Sequence, residues 1–343
     1  MTQKIPILSL TFDDLTRHLK KIFGKGEYHA AAIMREIFLH GNKNFLHVKE
    51  FKRSGDLTKK VMTALDVLSL PIVEKKHADG VVKWSSLLSD GHSIESVMIP
   101  MTHHHTLCIS SQVGCRMGCR FCQTGQMGFV RQLTTEEIVA QVYTAIFQIN
   151  APIRNIVFMG MGEPLDNFDA VIKAIHVLTD PRGFAFPKKF ITISTAGHIP
   201  GIQKLSKSDP KGIHLAISIN TANDSLRDQL MPINRKFPLF ALQKTLSEYP
   251  LKSKGVLFIE YVLIKDINDT DEDADQLANY VAPLRVRINV IPFNSQAGIP
   301  YETPSQEKLE RFCQRLIDHK LYVRKRATKG NQVMAACGQL GRT

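Results

Sequence analysis

Apolar residues recur at helical spacing over residues 13–23 and 30–39, punctuated by Gly24, Gly26 and Gly41, so the chain opens with amphipathic helices. Between 71 and 100 the period shortens to two. Val81-Val82-Lys83-Trp84 and Ile94-Glu95-Ser96-Val97-Met98-Ile99 read as strands, and Pro100 closes that ribbon. Beyond residue 104, short apolar runs alternate with amphipathic stretches. The runs predict strands at 105–110, 155–160, 190–195, 213–219, 256–264 and 286–293. Helices are expected between them, including 135–149, where Thr134 and Glu137 fit a capping box, and 304–320. Six strand–helix alternations imply a parallel sheet, two short of a complete eight-stranded barrel. The predicted fold class is therefore α/β, a partial (β/α)6 barrel behind a small helical N-terminal accessory domain. Boundaries are expected at 1–70 for the helical domain, 71–100 for a β-ribbon connector and 101–343 for the core.

Composition narrows the class. The 343 residues are 43% hydrophobic and 22% charged, ordinary for a soluble globular protein. No run approaches the roughly 18 uncharged apolar residues of a membrane span, and the N-terminus lacks the apolar region of a secretion signal. A cytoplasmic protein without membrane partners is expected. Lys and Arg number 44 against 32 Asp and Glu, and half of the excess lies in residues 1–60. Such a bias suits a polyanion, because cationic side chains release counterions from a phosphate backbone. The basic N-terminal domain is thus expected to bind a nucleic acid, RNA or DNA.

Cysteine placement carries the chemistry. Cys115, Cys119 and Cys122 form a Cys-x3-Cys-x2-Cys run, and Cys108 precedes it by seven residues. Zinc usually takes two separated ligand pairs. Three thiols on one short loop instead suit an iron–sulfur cluster with an iron left open to a substrate. The loop follows the strand at 105–110, at the carboxyl end of the sheet, where ligands bind in such folds. Further polar positions end later strands: Gly162 and Glu163 within Met159-Gly160-Met161-Gly162-Glu163-Pro164, then Ser194, Ser218-Ile219-Asn220 and Asn294. Cys337 lies among small residues in Ala335-Ala336-Cys337-Gly338-Gln339. His103-His104-His105 reads as a loop into the first core strand rather than a metal site, and Cys313 as a core residue. Lys188-Lys189, Arg324-Lys325-Arg326 and Lys329 are candidates for phosphate contact.

The run from Cys108 through CRMGCRFCQTGQMGFVRQLTTEEI, the MGMGEP segment and the C-terminal AACGQL resemble the RlmN/Cfr family of radical S-adenosylmethionine (SAM) RNA adenine methyltransferases, over roughly residues 20–340. The resemblance implies a [4Fe-4S] cluster on Cys115, Cys119 and Cys122. It places SAM against Gly162, Glu163, Ser194, Ser218, Ile219, Asn220 and Asn294. The family more usually has Ser-Leu-His where this chain has Ser218-Ile219-Asn220. Cys337 would become S-methylated, and an adenosyl radical from a second SAM would take hydrogen from that methyl so that it adds to adenine. Cys108 would release the product through a disulfide with Cys337, and Glu95 would be the base. The implied substrate is an adenosine of large-subunit rRNA, or of tRNA, modified at C2, with C8 as the alternative. A monomer served by an electron-donating reductase is expected. A radical SAM enzyme with a non-RNA substrate, or an RNA-binding protein with a structural cluster, are the competing classes.

Overall fold

The computed structural model describes residues 4–52, 55–208, 212–296, 298–326, 330, 334–336 and 338–341. Cys337 and Lys329 lie outside the described residues. The N-terminal part comprises β1 (Ile5–Pro6), α1 (Phe12–Phe23), α2 (Glu27–Met34) with a π-helical turn at Arg35–Leu39, α3 (Gly55–Ala64) and β2 (Leu65–Asp66). Thr11 caps α1 in a reciprocal box with Asp14, and Gly24 ends it in the left-handed conformation. The strip formed by Leu15 and Leu19 is fully buried. This unit does not have a core of its own: Ile7, Leu8 and Phe38 belong to one continuous apolar cluster with the barrel residues. A buried carboxylate seals the junction, the Phe12 amide donating to Asp180 Oδ2 at 2.6 Å.

The rest of the chain builds one ten-stranded sheet. Its strands are β3 (Ile72–Ala78), β4 (Val81–Leu87), β5 (Ser93–Pro100), β6 (His105–Cys108), β9 (Ile153–Phe158), β10 (Ile191–Thr195), β11 (His214–Ser218), β12 (Leu257–Leu263), β13 (Val286–Pro292) and β14 (Val323–Lys325). A small antiparallel pair, β7 (Gln112–Gly114) and β8 (Phe129–Gln132), stands beside it. The helices are α4 (Gln123–Gln126), α5 (Thr135–Phe147), α6 (Phe168–Thr179), α7 (Ile199–Lys207), α8 (Asp224–Leu230), α9 (Leu239–Ser247), α10 (Asp271–Val281) and α11 (Gln306–Asp318). The order is β14-β13-β12-β11-β10-β9-β6-β5-β4-β3, parallel from β6 to β14 and antiparallel from β6 to β3. This is an open, partial (β/α) barrel, with the six predicted core strands in place.

Two edges add to that expectation. The 71–100 ribbon is continuous with the barrel sheet through the antiparallel β5–β6 ladder. A seventh parallel strand, β14, joins the opposite edge. Both outer strands are charged, Lys75-Lys76 on β3 and Arg324-Lys325 on β14. Charge on an edge strand discourages pairing with another chain. Among the described residues, no helix is long and apolar enough to cross a membrane.

Candidate active site

The cysteine loop is shaped by backbone contacts on both sides. Gly114 has φ +71°, and a Cβ there would fall 1.9 Å from the Gly128 carbonyl, so only glycine lets β7 turn into the loop. The Cys115 amide donates to that carbonyl at 2.8 Å, and the Arg120 amide donates to Leu230 O at 2.9 Å. Cys122 then starts α4, with Gly125 packed so tightly on Cys119 that a Cβ would sit 2.7 Å from its carbonyl. The three cysteines face one cleft enclosing about 990 Å3, open mouth included.

Burial raises all three thiols above their ordinary value, Cys115 to about 12. A strong cationic centre would therefore be needed to hold them as thiolates. Among the described residues, no three His, Cys, Asp or Glu side chains converge closely enough to hold a single metal ion. A multinuclear cluster, which gives each thiolate its own iron, fits this donor set better than a tetrahedral mononuclear site.

The segment after β9 forms the next wall. Gly162 has φ +97°, and a Cβ would meet Gln112 Cβ at 2.4 Å. That close approach lets the Glu163 amide donate to Gln112 Oε1 at 2.8 Å, while Gln112 Nε2 donates to Gln132 and Asp166. The Glu163 carboxylate accepts from the amides of Leu165 (3.1 Å) and Ala196 (2.7 Å). Burial nevertheless pushes its pKa up to about 7, against the pull of these hydrogen bonds. Ser194, Ser218 and Asn220 also line the cleft. Asn220 is held in the left-handed conformation at φ +62°, its Oδ1 accepting from the Val262 amide at 2.8 Å. Ile219 and Asn294 are buried outside the lining.

The C-terminal segment closes part of the mouth. The Gln123 amide donates to Gly338 O at 2.7 Å, and Thr124 Oγ1 donates to Leu340 O at 2.6 Å. Gln296 Nε2 reaches both Gly338 O and Phe121 O at 3.2 Å. Gly338 and Leu340, just beyond position 337, are thus bonded to the helix that begins after the third cysteine. Cys108 ends β6, buried, in register with Val97 on β5 and Val157 on β9. Glu95 is 1% exposed; its Oε1 lies 2.7 Å from Lys83 Nζ, and its Oε2 accepts from the Gly341 amide at 2.7 Å. Burial raises the Glu95 pKa, with the Lys83 charge opposing. Neither Cys108 nor Glu95 lines the cleft itself.

Three buried charged positions at or near the cleft escape sequence reasoning. Lys83 sits in an apolar-looking strand. Glu260, mid-strand on β12, lines the cleft floor with Oε1 fixed by Asn289 Nδ2 at 2.7 Å. Arg227 lies in DSLRDQL, which reads as a solvated helix, yet it is fully buried. It donates to the carbonyls of Ile219, Ala196 and Ser218 and to Asn234 Oδ1. The paired aspartates of α8 that fix Asn234 (Asp224, Asp228) were the available signal. His104 contacts Asn155 Nδ2 at 3.0 Å and His105 opens β6, while Cys313 is buried in the core.

Residues 109–280 match the Radical SAM superfamily. A relative from Protochlamydia amoebophila, named "Probable dual-specificity RNA methyltransferase RlmN 1", is 43% identical over 98% of this chain and 94% of its own. A Geobacter sulfurreducens protein named "Dual-specificity RNA methyltransferase RlmN" is 42% identical over 99% and 93%. The crystal structure of a radical SAM methyltransferase from Sphaerobacter thermophilus superposes with a TM-score of 0.90 at 33% identity, covering 98% of this chain and 99% of that one. With the cysteine loop, the glycine–glutamate wall and the seated C-terminal segment, these likenesses show that the chain belongs to the RlmN family of radical SAM RNA methyltransferases.

Proposed function

We propose that this protein methylates an adenosine of RNA at C2, in large-subunit rRNA and also in tRNA, through an S-methylcysteine at Cys337. Cys115, Cys119 and Cys122 would hold a [4Fe-4S] cluster. Glu163 would face the SAM ammonium, with Gly162, Ser194, Ser218 and Asn220 around the cosubstrate and Ile219 and Asn294 supporting that wall. When bound, cluster and SAM supply a methyl group and the radical chemistry that a poorly nucleophilic ring carbon requires. Cys337 carries the methyl as a thioether. Glu95 takes the ring proton, and the Cys108 thiolate attacks the sulfur of Cys337, so that the disulfide forms as the bond from that sulfur to the ring-borne methylene breaks and the methylene takes up a proton to become the methyl group. A reductase partner reopens that disulfide and supplies electrons to the centre.

What supports this reading most is the seating of the C-terminal segment: Gly338 is hydrogen-bonded to Gln123, the residue after the third cysteine. The test is mass spectrometry of nucleosides from RNA of cells with and without the gene. Loss of 2-methyladenosine in the deletion is the expected result. Loss of 8-methyladenosine would move the product to the other ring carbon. If neither changed, and reconstituted protein with reductant and SAM left RNA unmethylated, the reading would fail.

A further inference from the structure

Two strands of the ribbon contribute a buried ion pair that does more than join them. Lys83 on β4 and Glu95 on β5 have side chains 5% and 1% exposed, with Nζ and Oε1 2.7 Å apart. Each also grips backbone from the far end of the chain. Lys83 Nζ donates to the Met334 carbonyl at 3.0 Å, and Glu95 Oε2 accepts from the Gly341 amide at 2.7 Å.

Both gripped residues hold unusual backbone. Met334 has φ +52°, a region uncommon for a non-glycine residue and kept only where surroundings impose it. Gly341 has φ +114°, and a Cβ there would lie 2.3 Å from Met127 Sδ. The two points bracket the segment whose inner residues, Gly338 and Leu340, bond to α4.

We propose that Lys83 is a positioning residue for methyl transfer, holding the segment that bears Cys337 against the cysteine loop by a two-point grip on Met334 and, through Glu95, on Gly341. The inference rests on Cys337 being the methyl carrier. An isolated buried charge is costly, so the pair is retained as a unit, and each member's second bond fixes the tail. Arginine can reach both a carboxylate and a carbonyl and should preserve the grip, whereas methionine fills the space and cannot.

The test uses full-length protein with reconstituted cluster, as wild type, Lys83→Met, Lys83→Arg and the double variant Lys83→Met/Glu95→Gln. Hydrogen exchange of the C-terminal peptide and S-methylation of Cys337 are both followed by mass spectrometry. Loss of these charge-assisted bonds should speed exchange of that peptide, and slow methylation of Cys337, by about tenfold in Lys83→Met. Exchange in β9 to β13 should not change, and Lys83→Arg should restore most of both readouts. The double variant leaves no unpaired buried charge, so it reads the grip even if Lys83→Met alone does not fold. Tail exchange at the wild-type rate in the double variant overturns the proposal, as does fast exchange with undiminished Cys337 methylation. Global unfolding of both would make the pair a folding element only and overturn it too. If wild-type protein shows no methyl on Cys337, the carrier assignment fails, while the exchange measurement still decides whether the grip exists.

Discussion

The carboxylate of Glu163 meets the amide of Ala196 at 2.7 Å, bonding the loop after β9 to the loop after β10 at the cleft wall. Its other oxygen accepts from Leu165. Glu163→Gln replaces one acceptor by an amide donor facing an N–H, a mismatch costing about 1–3 kcal/mol. SAM affinity should also fall. Burial holds the Glu163 pKa at about 7, so the ionised form that attracts an ammonium grows as pH rises through 7. Affinity should therefore increase from about pH 6 to 8 in the wild type and stay flat in the variant. Equilibrium dialysis with SAM at several pH values checks this. A wild-type affinity independent of pH would remove Glu163 from the binding set.

Gly162→Ala tests the wall from the backbone side. At φ +97° an alanine is strained, and its Cβ meets Gln112 Cβ at 2.4 Å. Strain of this kind costs about 1–3 kcal/mol, and displacing Gln112 also loosens its bonds to Glu163, Gln132 and Asp166. The melting temperature should drop clearly. Gly55→Ala, where nothing lies within 4 Å of the added Cβ, is the matched control and should stay near wild type.

Away from the site, Glu136 gives the fold a pH dependence. Its Oε1 is buried without a hydrogen-bond partner, and burial with the nearby Asp66 charge raises its pKa to about 7. A carboxyl raised on folding stabilises the protein fully below its unfolded value, near 4.5, and loses that contribution as pH rises through about 7. Partial exposure of the group reduces the effect to on the order of 1 kcal/mol. Glu136→Gln should flatten the fall in melting temperature between pH 5 and 7. An unchanged profile would place the titration elsewhere.

Loading and then removing the proposed cluster should separate site from scaffold. The cysteine loop is held by the Arg120–Leu230 and Cys115–Gly128 backbone bonds, which need no metal. Chelation of iron, or Cys119→Ser, should abolish the visible absorbance of the cluster and SAM cleavage while leaving far-ultraviolet circular dichroism nearly intact. A collapse of secondary structure on iron removal would instead show a structural cluster.

The core strands were legible because a parallel sheet covered on both faces needs continuous apolar runs. The cysteine loop and the strand-end polar residues followed from spacing and from position at the sheet's carboxyl end. Period-two reasoning broke down at Lys83 and Glu95. Residues 81–86 are all buried, and on the surface that alternation assigns to solvent Lys83 and Glu95 instead meet Met334 and Gly341. Contacts 251 and 246 residues away in the chain leave no local pattern. Strands β3 and β14 were hidden by the charges that protect them as edges, and residues 30–39 read as one α-helix where the last turn is π-helical.

Arg227 is where the missed information has most consequence. It is fully buried and donates four hydrogen bonds, three of them to carbonyls at the ends of β10 and β11 that carry Ser194 and Ser218. Burial lowers its pKa, but a guanidinium remains charged, and the carbonyl dipoles with Asp224 and Asp228 nearby offset the loss of hydration. Lysine keeps the charge but carries its three donors on one nitrogen in place of the planar fork, so Arg227→Lys leaves at least one of the four acceptors without its donor. Each orphaned group costs about 1–3 kcal/mol, so the lysine variant should lose at least that much stability. Arg227→Met removes the charge but strands all four acceptors, so it should cost more than the lysine variant. Because the fork ties Ala196 to Ser218, protein that still folds should bind SAM less tightly, although residue 227 does not line the cleft. Denaturant unfolding and SAM dialysis on the lysine variant decide this. Lost stability with unchanged SAM affinity would confine Arg227 to holding the fold together.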